Sequence, residues 1–390
     1  MSSAPRIYFS VGDPSGDIHG ANLIEELKRT ESQIHCEGFG GDLMKEAGCE
    51  MHYPLCDLAV IGFRAVLKHI STFKQLLKQT DERFRRDRPD ALILIDYPGF
   101  NWHMARIAKK HKVPVFFFIP PQMWAWGGWR ARKMRRLVDH VLSVLPFERD
   151  WYQTRHISCD FVGHPFFDEL RQFSPDLSFL EEQQRKPGTL IGLLPGSRRQ
   201  EIARNLETII QTATLIHAQH PSARFAFACL KPEHATTVQE QIQKSSAGHL
   251  PIEVCVGKTS EIIDLAHSCV SVSGSVSLEL LYRLTPTTIL YRISRLEAFF
   301  ARFLMSARYI TLVNMLAKRE LFPEYYGTKL DAQILSNHVL HWLENPSEHD
   351  KVRESLRLLR DEVAIPGACG RAAEVILDKL RQRNGLRLVA

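Results

Sequence analysis

The chain has 390 residues, 44% of them apolar and 24% charged, with a net charge of +6 and a pI near 8.8. That length exceeds a typical single core and predicts two domains of α/β size with the composition of an ordinary globular protein. The positive balance favours anionic partners: nucleotides, phospholipid surfaces or nucleic acid. The cysteines, at 36, 49, 56, 159, 229, 255, 269 and 369, form no CxxC or CxxH pair, which argues against structural zinc. They read as buried thiols in a reducing compartment. The N-terminus lacks a secretory signal, and no apolar run approaches the roughly eighteen residues a spanning helix needs. A cytoplasmic protein is expected, free to touch a membrane surface.

Short apolar runs alternate with helical periodicity from the start. Arg6–Val11 reads as a strand and Gly20–Arg29 as a helix. Between them lies GDPSGDIHGAN, Gly12 to Asn22. Its glycines at 12, 16 and 20 do not make G-x-G-x-x-G, so NAD binding is disfavoured. Gly12 and Gly16 let the backbone turn sharply, and Ser15 or Asp17 can cap the next helix. Asp13, on the strand's end, is a candidate ligand for an acceptor hydroxyl. His19 titrates near neutral pH, though a lone helical histidine is more often structural.

Phe63, Val66, Leu67, Ile70, Phe73, Leu76 and Leu77 follow one helical face, with Arg64, Lys68, Lys74 and Lys78 on the rest. Such a helix either lies in a headgroup layer or packs on its own sheet. Ala91–Ile95, Val113–Ile119 and Val141–Leu145 are further buried strands. Trp124, Trp126 and Trp129 stand beside Arg130, Arg132, Lys133, Arg135 and Arg136, a second candidate membrane patch. Aromatics among cations also suit single-stranded nucleic acid, but no RNA-binding motif accompanies them, and no nucleic-acid partner is expected. Ser174–Pro187, polar with two prolines, is the best linker candidate.

The strand rhythm restarts at Thr189–Leu194, Arg224–Leu230, Ile252–Val256, Val270–Ser273 and Thr287–Tyr291. LLPGSRRQE, Leu193 to Glu201, breaks from strand to helix at Pro195-Gly196. That geometry lets backbone amides and a helix N-terminus converge on an anion, and Arg198 offers a guanidinium fork there. SGSVSLE, Ser273 to Glu279, is a second turn of the kind. Two such turns suggest one bound diphosphate, as in a nucleotide-sugar. Phe299, Phe300, Phe303 and Leu304, flanked by Arg295, Arg302 and Arg308, form a third apolar patch, equally readable as core. Helices are expected at Lys351–Asp361 and Arg371–Arg381. The fold class is α/β: two Rossmann-like domains facing across a cleft, residues 1–173 and 188–345. Residues 346–390 are helices able to cross back to the N-terminal domain.

Several independent motifs carry a family resemblance. GDPSGDIHGAN, IDYPGFN (95–101), PPQMWAW (120–126), LPFE (145–148), VGHP (162–165), LLPGSRRQE, SGSVSLE, YITLVNMLAKREL (309–321) and PGACGRAA (366–373) resemble, in order, those of the lipid-A-disaccharide synthase family. The resemblance covers nearly the whole chain. It implies an inverting GT-B glycosyltransferase that joins UDP-2,3-diacylglucosamine to 2,3-diacylglucosamine 1-phosphate. The product is the β-1,6 disaccharide of lipid A, and UDP is released. It further implies peripheral binding to an anionic membrane through the 63–77 region, at the inner face of the cytoplasmic membrane. A homodimer is among the oligomeric states it leaves open.

Inverting transfer needs a base, stabilisation of an oxocarbenium-like centre and neutralisation of the departing diphosphate. The chain has no Asp-x-Asp pair, so no metal and no other cofactor is expected. The charge then falls to Arg198, to the amides around Ser197, and to the turn Gly274, Ser275 and Ser277. Ser15 belongs with the donor-binding set. Glu279 resembles the residue that holds a ribose in related transferases, and Asn314, Arg319 and Glu320 lie in a matched motif. In many members the motif at 95–101 reads Asp-x-Pro-Asp-Phe-Asn, and its second aspartate is the proposed base. Here Gly99 stands in that place, so either Asp96 or Asp13 is the candidate catalytic base, or the base lies elsewhere than the family pattern puts it. Asp96 ends a buried strand, where desolvation would raise its pKa; otherwise it only caps the loop. Asp90 also aligns with a family position, with an exposed pre-strand residue as its plainer reading.

Overall fold

The computed structural model describes residues 4–59, 70–125, 127–295, 297–298 and 308–389. The chain divides into two compact units, residues 1–169 with 365–390, and residues 170–364. The first holds β1 (Arg6–Val11), β2 (His35–Phe39), β3 (Glu50–Tyr53), β4 (Ala91–Ile95), β5 (Val115–Phe118), β6 (His140–Ser143) and β7 (Cys159–Phe161). They form one parallel sheet in the order β3-β2-β1-β4-β5-β6-β7. The second holds β8 (Thr189–Leu194), β9 (Ala223–Cys229), β10 (Ile252–Val256), β11 (Ser268–Val272), β12 (Thr287–Arg292) and β13 (Glu324–Gly327). These are again parallel, ordered β10-β9-β8-β11-β12-β13.

Strands such as β4 (ALILI) are buried along their whole length, as a parallel sheet covered on both faces requires. In each sheet the strand order reverses once, between β1 and β4 and between β8 and β11. Open α/β sheets bind ligands outside the carboxyl ends of the strands at such a reversal. The registers make these ends level. Val11 stands opposite Ile95, and Leu194 opposite Ser271. The loops that follow are therefore neighbours by construction.

The first helix begins at Pro14, six residues before its apolar periodicity does. Proline at the first helical position has its ring angle preset and lacks only an amide the helix would not use. Asp13 caps this helix, accepting from Gly16 N at 3.2 Å. Asp17, expected as a cap, sits within it. Its carboxylate accepts from Gly41 N, Leu43 N and Met44 N at 2.8–3.2 Å, and so caps the helix Asp42–Glu46 instead.

The stretch 174–187 is mostly helix, Leu177–Arg185, inside the second unit. Its polarity reflects a surface helix rather than a flexible connection. The two C-terminal helices part company: Pro346–Val363 belongs to the second unit, and Ala368–Val389 packs on helix Pro14–Thr30 of the first. Asp168 fixes the start of the latter by accepting from Gly367 N and Ala368 N at 2.6 and 2.9 Å. Arg371 Nε donates to Val162 O at 2.8 Å. Seven cysteines are buried and Cys255 is half-buried, all as free thiols.

Candidate active site

In the first unit the level ends of β1 and β4 bring two carboxylates together. Asp96 and Tyr97 both adopt left-handed backbone, φ 42° and 43°, a conformation strained for residues with a Cβ. The buried Asn101 holds it. Asn101 Nδ2 donates to Asp96 O at 2.7 Å, to Ser10 O at 3.2 Å and to Ile95 O at 3.3 Å. Its Oδ1 accepts from Ser10 Oγ at 2.6 Å. Sequence reasoning did not single out Asn101, although it ends the IDYPGFN motif. Gly12 is required beside this turn, since a Cβ there would lie 2.2 Å from Tyr97 Cδ1.

Burial, and next the neighbouring Asp13 carboxylate, push Asp96 up to about 6. The carboxyl is therefore mostly ionised at neutral pH yet basic enough to take a proton. Asp13 Oδ1 is buried with no hydrogen-bond partner, while Oδ2 receives the Ser15 hydroxyl and Gly16 N. His19 is buried against Glu169, its Nδ1 2.8 Å from Glu169 Oε1 in poor hydrogen-bond alignment, and it flanks the His164 ring. Asp90 accepts from Arg6 N at 2.9 Å, at the opposite end of β1, and takes no part in this site. Nothing lies within 4 Å of a Cβ built on Gly99, which faces open space.

In the second unit, Gly196 has φ 110° at the elbow after β8, a backbone that excludes a Cβ. Ser197 and Arg198 follow, exposed, at the head of helix Arg199–Gln219, where Glu201 Oε2 reaches back to accept from Arg198 N at 3.3 Å. Arg198 is tethered: its guanidinium donates to Glu201 Oε1 at 2.7 Å. Gly274 and Ser275 are exposed in the neighbouring turn after β11. Ser277 is buried and spends its hydroxyl on Gly274 O at 2.8 Å, so it shapes the turn from within.

Glu279 is not an exposed helix glutamate. It is 7% exposed, and Oε1 accepts from Ser260 Oγ at 2.5 Å and Arg283 Nε at 2.9 Å. Asn314 departs further from expectation. It is fully buried, donating to Phe322 O (2.7 Å) and Glu324 (3.0 Å) and accepting from Leu321 N and Phe322 N. With its amide committed, Asn314 positions the loop that carries the exposed Arg319 and Glu320 rather than meeting a ligand. Glu324 completes this anchor by accepting from Ile310 N and Thr311 N at 2.7 and 3.0 Å.

The proposed membrane face is corrected where it is described. Phe73 packs on Phe100, ring centroids 5.5 Å apart, and Leu76 and Leu77 join the same core, so from Phe73 onward this helical stripe faces the unit's own core. Ile70 is exposed. Trp124 is pinned: its Nε1 donates to Glu148 Oε1 at 2.8 Å, and its ring stands edge-on to Phe147. Phe63, Val66, Leu67, Trp126 and the patch Phe299–Leu304 lie outside the described residues. Among the described residues one carboxylate–histidine group, Glu37, Glu50 and His52, has metal-ligand proximity. Arg6 and Arg83 already occupy the Glu37 carboxylate at 2.7 and 2.8 Å, and those cations would repel an ion.

Residues 7–373 match the sequence profile of the family described as lipid-A-disaccharide synthetase. The chain belongs to this family. A lipid-A-disaccharide synthase of Trichlorobacter lovleyi is 33% identical over 382 residues, 97% of this chain and 98% of its own length. Membership makes the protein a glycosyltransferase of lipid A disaccharide synthesis. Two solved structures share its two-domain parallel-sheet fold at low identity. One is S. aureus MnaA in a co-structure with UDP (TM-score 0.66, 12% identity, 98% of this chain and 97% of that one). The other is the UDP-GlcNAc 2-epimerase of Neisseria meningitidis bound to UDP-GlcNAc (TM-score 0.60, 14% identity, 97% and 99%). The family motifs at 95–101 and 193–201 fall on the loops at the two strand-order reversals.

Proposed function

We propose that the protein transfers the diacylglucosaminyl group of UDP-2,3-diacylglucosamine to the 6-hydroxyl of 2,3-diacylglucosamine 1-phosphate, without a metal. The acceptor oxygen attacks the anomeric carbon as the carbon–diphosphate bond breaks. Configuration inverts, the hydroxyl proton passes to the base, and the bond's electron pair leaves with UDP. Asp96 is the base, and Asp13 keeps its affinity for the proton high. In the second unit, Arg198, Ser197 and the amides of Gly274 and Ser275 meet the diphosphate charge. Glu279 holds the ribose, and Arg319 and Glu320 complete the donor site on the loop anchored by Asn314.

One observation carries the reading: each sheet presents, at its single order reversal, a level pair of loops with complementary chemistry. Carboxylates stand on one, a glycine elbow with a guanidinium on the other. Both substrates carry acyl chains, so we place the enzyme at an anionic membrane surface. The exposed Trp129 beside exposed Arg132, Arg135 and Arg136 supports that placement. No described helix is long and apolar enough to cross a membrane. The test is a product assay by mass spectrometry with both defined substrates. Disaccharide 1-phosphate and UDP in equal amounts are expected. UDP release with the acceptor untouched would mean hydrolase or epimerase chemistry and would refute the transfer.

A further inference from the structure

At the carboxyl ends of β12 and β13, beyond the elbow, the chain forms a groove of about 380 Å³. Arg292 ends β12 opposite Gly327 of β13, and Ile293 N donates to Gly327 O at 2.9 Å, so the two exits run side by side. Arg204, Arg292, Ile293, Ser294, Arg295, Thr328 and Lys329 line it. Four of these seven are cations and none is acidic. Among the described residues, carboxylates reach it only from the rim. Glu297 meets Arg204 Nη1 at 3.0 Å, and Glu207 stands 3.9 Å from Arg292. Among the described residues, no carboxylate pairs with the exposed Arg295 or Lys329. Four cations against two rim carboxylates leave an unneutralised positive field in a concave site.

Such a field takes a compact anion. Guanidinium forks favour a group with several acceptor oxygens arranged around one centre, and a phosphomonoester offers these with close to two charges. The groove shares its sheet end with the donor elbow, because the half-buried Tyr291 hydroxyl on β12, raised first by its burial, also feels Glu201, Arg198, Glu297 and Arg204 together. Its lining is nonetheless separate from Ser197, Arg198, Gly274 and Ser275.

We propose that Arg204, Arg292, Arg295 and Lys329 form a second anion site, which takes a phosphate group carried on a lipid. This rests on the transfer reading, in which the acceptor itself bears a phosphomonoester. Two sources put a phosphate on a lipid, the acceptor's 1-phosphate, a monoester, and the headgroup of an anionic phospholipid, a diester with one charge. The test uses the full chain with Arg295→Gln and Lys329→Gln combined, and Arg295→Lys with Lys329→Arg as the charge-retaining control. Three quantities are read: the acceptor KM in neutral detergent micelles, sedimentation with phosphatidylcholine vesicles with and without phosphatidylglycerol, and UDP affinity by calorimetry. The charge-removing pair should weaken one of the first two by about tenfold, the scale of a lost charge-assisted contact. The control should keep it, and UDP affinity should not change. A raised KM assigns the acceptor phosphate, and lost vesicle binding assigns the phospholipid. If neither moves, or if UDP affinity falls in parallel, the second site does not exist. Failure of the wild-type chain to make disaccharide strikes the transfer reading alone, since the vesicle arm does not depend on it.

Discussion

Two consecutive left-handed residues, each costing on the order of 1–3 kcal/mol, do not persist without compensation. At Asp96–Tyr97 the compensation is one buried amide, and Asn101→Ala removes all of its bonds together. Stability should fall by about 1–3 kcal/mol in urea unfolding, as for buried polar groups left unpaired. Turnover should fall with it while UDP affinity holds, because the turn aims the base and not the elbow. The base also sets a pH limit. The ionised form accepts the proton, so activity present at neutral pH is lost as pH falls through about 6. Asp13→Asn removes the second cause of that elevated value, so the acid limb of whatever activity remains should move to lower pH. A limb that stays in place would separate Asp13 from the base. Asp96→Asn should abolish turnover and leave UDP binding intact. Position 99 gives a complementary check, since a side chain there meets nothing within 4 Å and sits in a helix's first turn, where a carboxylate is favourable. Gly99→Asp should fold normally, and if the proton is accepted from that side of the loop it should restore turnover to Asp96→Asn. A double variant as inactive as its parent would assign the proton to position 96 alone.

Among elements, the contrast between the helix Ile70–Arg86 and the elbow after β8 shows what pattern alone can say. An apolar stripe at i, i+3, i+4 looks the same whether it faces lipid or the protein's own core, and Phe73 on Phe100 decides for the core where the helix is described. The elbow was legible because Pro-Gly between strand and helix leaves few alternatives, whereas its tether to Glu201 depends on side-chain geometry. Arg198→Ala should weaken UDP binding by about 2 kcal/mol by calorimetry, a lost charge-assisted contact. The Asn314–Glu324 anchor and the Trp124–Glu148 link were invisible because each joins residues that only the fold brings together. The second link has a pH signature. Burial raises the Glu148 carboxyl from 4.5 to about 7, against the opposing bonds from Trp124 and the Leu145 and Val144 amides. The folded protein thus retains a proton that the unfolded chain releases above about 4.5. The associated stability is complete below that pH and is lost as pH rises to about 7. Glu148→Gln, which cannot ionise, should lack this loss. Equal pH slopes for the two proteins between those limits would exclude the buried carboxyl as its source.

At the scale of the whole molecule, the repeated strand rhythm revealed two parallel sheets because strands buried on both faces must read as unbroken apolar runs. The edge strands β3, β7 and β13, and β2 beside the edge, escaped notice, being short or polar. The division of the chain was harder to read, since residues 174–187 look like a linker yet form mostly surface helix, and the tail's destination is a matter of long-range packing. That packing carries consequences. Ile376, Leu377 and Leu380 are buried in the first unit, together with Ala368, Cys369, Ala372 and Ala373. At about 1.5–3 kcal/mol for each large side chain, those three alone approach the 5–15 kcal/mol that stabilises an ordinary domain. Asp168 and Arg371 add the cap and the tether to Val162. Ending the chain after Ala364 should therefore unfold the first unit and spare the second. Hydrogen exchange should show β1–β7 unprotected and β8–β13 close to their full-length protection. Protected amides throughout β1 and β4 in the shortened chain would mean that the first sheet carries its own core, and that the returning helix is an ornament to it.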